Sequence, residues 1–207
     1  MPDKHGPFQE KEFRQLLQKL NNQFDSHYLI SEIPQILSQI HRSKFILRHD
    51  ICGRLDIASR MAELENYLDI RGTFLFDPSS PEISLARQEV RDTIRFIGQK
   101  GHEIGLHLPG KSPEVLKEVL VLSRKMEKHL FSPVLSVSFS EYHRELPSGS
   151  FFISGKISAS SRILMGWHIS DKNSRLLSSI PRPSENRPML QVIIHPEEWM
   201  RPLSPDK

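Results

Sequence analysis

The chain has 207 residues and a mass of 24.0 kDa, enough for one domain with a single sizeable core. Its formal net charge of +3 comes from lysines and arginines scattered among carboxylates, with no basic tract, which sets nucleic acid aside as a partner. The single Cys52 excludes an intrachain disulfide, no apolar run approaches the ~20 residues of a membrane span, and the polar start Met1-Pro2-Asp3-Lys4 has no signal-peptide core, so a cytoplasmic, reducing setting is expected.

Phe8, Phe13, Leu16, Leu17, Leu20 and Phe24 return to one helical face, so residues 1–27 are expected to form an N-terminal helical extension to a domain spanning 28–207. Lys44-Phe45-Ile46-Leu47 is short, apolar and β-prone and predicts a buried strand ending near His49-Asp50. Leu55, Ala58, Met61, Ala62, Leu64 and Leu68 predict a helix, and Arg71 to Phe76 a second strand. A helix over Ser84 to Gln99 and a strand from Glu103 to His107 repeat the unit. A helix over Pro113 to Leu130 and a strand over Val134 to Phe139 follow. Beyond residue 144 the alternation fails; Ser148 to Ser161 is polar and small, and Leu190 to Ile194 is the last clear strand, ending at His195-Pro196.

Strand and helix in alternation imply parallel strands, which carry functional groups at their C-terminal ends. Asp50, Asp77, His107 and His195 all fall there. An acid beside an imidazole at His49-Asp50 points to metal binding or proton transfer. The plainer reading is a helix-capping Asp, or one paired with Arg48 or Arg54. In Gly101 to His107 the alternation puts His107 on the face of Glu103 and Gly105, which makes it the candidate ligand and leaves His102 as a hydrogen-bonded structural imidazole. Three strand ends supplying imidazoles, one with a carboxylate, form a donor set that suits zinc and similar divalent metals. His143, His168 and Asp171 are equally well explained as turn formers.

These residues resemble the polysaccharide deacetylase (NodB-homology) family, in the branch marked by Leu-Arg-His-Asp-Val-Asp and Gly-His-Glu-Ile-Gly-Leu-His. Here the two motifs read Leu47-Arg48-His49-Asp50-Ile51-Cys52 and Gly101 to His107. Gly72 to Phe76, Ile169-Ser170-Asp171 and Ile193 to Trp199 support the match in the same order across residues 28 to 200. The resemblance implies an α/β fold, a distorted β/α barrel in one domain, and a metal-dependent hydrolase that removes an acyl group from an N-acylated sugar. It implies Asp50 and His107 as ligands of a divalent metal, zinc as first choice, and His195 as the general acid.

Lys111 stands where the family has a second ligand histidine, so a third ligand has to come from elsewhere, with His143 as the candidate. His49 takes the place of the base; in the alternative register Asp50 is the base and Cys52 replaces the second Asp. Asp171 is expected to orient His195, and Trp167 or Trp199 to stack on a sugar ring. Two rivals keep the fold: a carbohydrate-binding or regulatory homologue with an impaired site, and a deacylase of a small cytosolic amide.

Overall fold

The computed structural model describes residues 5–36, 43–108, 114–140, 152–153, 155–160, 167–171, 180–184 and 188–202. In chain order, β1 (His5–Phe8) leads into α1 (Glu10–Gln23), β2 (Ser26–His27) and the short α2 (Ile33–Ile36). Then β3 (Lys44–Ile51), α3 (Leu55–Tyr67), β4 (Thr73–Phe76), α4 (Gln88–Gln99), β5 (Glu103–Leu108), α5 (Val115–Leu130) and β6 (Ser136–Phe139) alternate. β7 (Phe152–Ile153), β8 (Lys156–Ser158), β9 (His168–Ser170), β10 (Met189–Ile194) and β11 (Met200–Pro202) complete the described elements.

Nine strands form one sheet in the order β7-β8-β6-β5-β4-β3-β10-β9, with β2 beside the start of β3. Every pairing in it is parallel except the β7–β8 hairpin. The sheet is curled into an open half-barrel. Because the central strands run the same way, their C-terminal ends share one edge.

Alternation along β3 explains how one sheet serves two layers. Phe45, Leu47 and Ile51 face outward and join the apolar clusters under the helices, where Phe13, Leu16, Leu17 and Leu20 of α1, and Val90, Ile94 and Ile97 of α4, are buried. Ile46 faces inward and packs with Leu75, Ile157, Ala159, Ile30 and Ile33 inside the curl. Glu10 and Glu12 in the first turn of α1 complement the positive end of its dipole.

Two regions carry strand pairings that the sequence pattern does not announce. The described part of the N-terminal segment is woven into the body: β1 pairs antiparallel with β11, β2 pairs with β3, and α1 shares a core with Phe45, Leu190 and Trp199. Strands this short at the two chain ends carry no periodic signal that could announce their pairing. Within the stretch from 148 to 161, expected to be irregular, Phe152 pairs with Ile157, and Gly155 at φ +76° makes the turn. A hairpin of two- and three-residue strands lies below the length at which alternation is readable.

Candidate active site

Asp50 belongs to β3 itself, not to the loop after it, and its side chain faces the inside of the curl, 3% exposed. Arg48, two residues back on the same face, grips it with both arms of its guanidinium: Nε donates to Oδ1 at 2.8 Å and Nη2 to Oδ2 at 2.6 Å. Burial by itself would raise the Asp50 pKa. The Arg48 charge, followed by His107, the Arg48 hydrogen bonds and His195, outweighs it and holds the carboxyl well below the usual carboxylate range, hence ionised.

β5 brings His107 to the same spot, with Nδ1 3.6 Å from Asp50 Oδ1. Between them stands Ser138 on β6, whose hydroxyl donates to Asp50 Oδ1 at 3.3 Å and lies 2.7 Å from His107 Nδ1. The other ring nitrogen, His107 Nε2, is hydrogen-bonded to the Ser140 hydroxyl at 2.8 Å. Burial lowers the His107 pKa, with Asp50 opposing and Arg48 adding to the decrease, which keeps the imidazole neutral. Gly105 makes this approach of strands possible: a Cβ there would lie 2.8 Å from the Ser136 carbonyl oxygen.

His195 follows the last residue of β10 and approaches the other oxygen of Asp50. Asp171, just beyond β9, accepts three hydrogen bonds: from His195 Nδ1 at 2.6 Å, the His195 backbone N–H at 2.7 Å and Trp199 Nε1 at 2.9 Å. The imidazole is thereby fixed with its hydrogen on Nδ1 and with Nε2 aimed at Asp50 Oδ2, 3.9 Å away.

The structure therefore brings together Asp50, His107, His195 and Asp171 of the expected set. His49 is not among them. Adjacent strand residues point to opposite faces, and His49 projects under the helices, fully buried, stacked on Phe74 at 4.1 Å and 2.8 Å from Glu65 Oε1. His102 accepts from the Gly72 amide and lies 2.9 Å from the Ala62 carbonyl oxygen. Asp77 accepts from the Ser79 amide and hydroxyl and so closes a turn. Trp199 is buried and packs edge-on against Phe13, so it presents no open face for sugar stacking, and Trp167 packs half-buried against the same cluster. His143 and Lys111 lie outside the described residues.

Ser138 and Ser140 were not among the expected site residues. Their signal is the run Ser136-Val137-Ser138-Phe139-Ser140, which puts three hydroxyls on one strand face.

Among the described residues, the expected metal donors Asp50 and His107 are engaged by other partners. Both Asp50 oxygens accept from Arg48, whose positive charge stands where a cation would approach, and both His107 nitrogens are engaged by serine hydroxyls. Among the described residues no three His, Cys, Asp or Glu side chains are arranged to hold a metal ion.

No family model matches the chain, and no curated protein does. Solved structures do. The peptidoglycan deacetylase PdaC from Bacillus subtilis matches at 15% identity over 77% of this chain and 79% of that one, with a TM-score of 0.53. The Streptococcus pyogenes deacetylase PplD, in complex with acetate, matches at 16% identity over 93% and 87%, with a TM-score of 0.50. The chain has the polysaccharide deacetylase fold. BA3943 from Bacillus anthracis, described as a CE4 family pseudoenzyme, aligns at 15% identity over 73% of this chain, with a TM-score of 0.46. This chain covers 54% of that one, so it spans about half the length of that deacetylase-fold neighbour. No helix among the described residues is long and apolar enough to cross a membrane.

Proposed function

We propose that the cluster around Asp50 acts on an N-acylated sugar and hydrolyses its acyl–nitrogen bond, with His195 as the acid that protonates the departing nitrogen. The observation that most supports this reading is the His195–Asp171 pair: a buried carboxylate fixes Nδ1 at 2.6 Å and leaves Nε2 on the side of Asp50, 3.9 Å from its Oδ2. An imidazole held this way can pass a proton without losing its orientation. Asp50 supplies a second carboxylate 3.9 Å from that nitrogen. The lone Cys52 is compatible with a reducing, cytoplasmic setting, where a small acylated amide is the other substrate of the same chemistry.

The test is acetate release from N-acetylglucosamine oligomers and from a panel of small acetamides, comparing wild type with His195→Gln, with the zinc content of each preparation measured alongside. Release that depends on His195 supports the proposal. Wild-type protein that binds the oligomers and releases nothing overturns it in favour of a carbohydrate-binding homologue. One observation favours that second reading: Arg48 occupies both oxygens of Asp50, so the carboxylate is committed to an ion pair in place of a ligand. One equivalent of zinc, lost in Asp50→Asn, would show that the ion pair opens and that residues beyond the described ones complete a metal site.

A further inference from the structure

We propose that Trp199 is a positioning residue for His195, acting through Asp171; the proposal rests on the reading of His195 as the acid of the hydrolysis. Asp171 Oδ2 accepts from two donors, the His195 backbone N–H at 2.7 Å and the Trp199 indole N–H at 2.9 Å. Backbone amide and indole nitrogens can only donate, so the direction of both bonds is fixed. Together they set the plane of the carboxyl group, and that plane aims Oδ1 at His195 Nδ1, 2.6 Å away.

The two donors are not equivalent. The amide belongs to the residue whose ring is being held, so by itself it would let the carboxyl group turn with His195. The indole brings in a point of reference outside that residue. The turn Pro196–Trp199, closed by the bond from the Glu198 amide to the His195 carbonyl oxygen at 3.0 Å, carries Trp199 back beside Asp171. There the N-terminal segment fixes it. The Gln9 amide donates to the Trp199 carbonyl oxygen at 2.8 Å, Phe13 of α1 meets the indole edge-on at 5.0 Å, and Met200 pairs with Phe8 where β11 joins β1. Trp199 is buried, so these contacts hold its ring in one orientation.

Packing by itself does not account for this pairing. A buried indole N–H needs an acceptor, and any carbonyl oxygen would serve. Here the acceptor is a buried carboxylate whose other oxygen already engages an imidazole, and a bond to a charged acceptor is stronger than one to a neutral group. The orientation of His195 therefore depends on residues 5–13, which the sequence pattern presents as an extension to the domain.

Trp199→Phe in the full chain deletes the indole N–H and keeps an aromatic ring against Phe13. Phe24→Leu, which trims an aromatic of the same apolar cluster facing Phe45 and Trp167, controls for lost packing. Proton NMR of the hydrogen shared by His195 and Asp171 is the first readout and needs no substrate. Its exchange with water should quicken about tenfold or more in Trp199→Phe and stay as in wild type in Phe24→Leu. Exchange unchanged in Trp199→Phe, or quickened equally in both variants, overturns the proposal. Acetate release is the second readout: Trp199→Phe should lower kcat about tenfold to a hundredfold, with KM within about twofold of wild type. In an Asp171→Ala background the same substitution should cause no further loss. A full additional loss there shows that Trp199 acts without Asp171 and overturns its role. Should wild-type protein release nothing from any substrate, the acid reading falls, while quickened exchange in Trp199→Phe still supports the hold on the imidazole.

Discussion

Replacing Arg48 by methionine removes the guanidinium and leaves a carboxylate stranded inside the curl. The side chains of Arg48 and Asp50 are 3% and 5% exposed, and two hydrogen bonds of 2.8 and 2.6 Å join them. Breaking a buried pair by deleting one partner costs about 3–5 kcal/mol, because the remaining charge has lost its compensation. The pH dependence carries the sign. In wild type the folded Asp50 titrates below its unfolded value of ~3.9, so the pair contributes stability above that pH and loses it as pH falls through the folded value. In Arg48→Met the burial effect is no longer opposed by the guanidinium, and the folded pKa moves above ~3.9. The variant therefore regains stability as pH falls toward 4, where its carboxyl takes up a proton. Urea unfolding followed by the fluorescence of Trp167 and Trp199 measures both. The expected deficit against wild type is about 3–5 kcal/mol at pH 8 and clearly smaller at pH 4. A deficit under about 1 kcal/mol at pH 8, or one equal at the two pH values, refutes the account of a tightly paired, ionised Asp50. Adding Asp50→Leu to the variant removes the stranded charge and should recover most of the loss.

Three further outcomes follow from the same geometry. Asp171→Asn cannot accept from His195 and Trp199 as the carboxylate does, so acyl release should fall on the order of a thousandfold or more, with the melting temperature changed little; unchanged release would remove His195 as the acid. His49→Leu removes the imidazole 2.8 Å from the buried Glu65 and leaves His102, 3.6 Å away, beside it, which should cost about 1–3 kcal/mol, while acyl release by the folded variant stays within about threefold of wild type. A complete loss of release in that variant would restore His49 as a base. Gly105→Ala forces a Cβ to within 2.8 Å of the Ser136 carbonyl oxygen and should lower stability by about 1–3 kcal/mol in thermal melts, with β6 and its serines displaced from His107. A variant that melts at the wild-type temperature would contradict that crowding.

The sequence by itself determined the strand and helix units from Lys44 to Phe139 and the strand before His195, because each is long enough for its apolar period to be read. It also determined that Asp50, His107 and His195 stand at strand ends, since a parallel sheet places them on one edge. Tertiary structure decided the rest. The local rule that adjacent residues face opposite ways already separates His49 from Asp50, but only the packing of Phe74 and Glu65 shows where His49 goes. The grip of Arg48 on both oxygens of Asp50 is a matter of side-chain direction at one site, and sequence offered Arg48 and Arg54 as equal partners. Ser138 meets Asp50 across 88 residues of chain, and Asp171 meets Trp199 across 28. Such contacts depend on which strands become neighbours and how far each is staggered, and neither quantity is written in the local pattern of a segment.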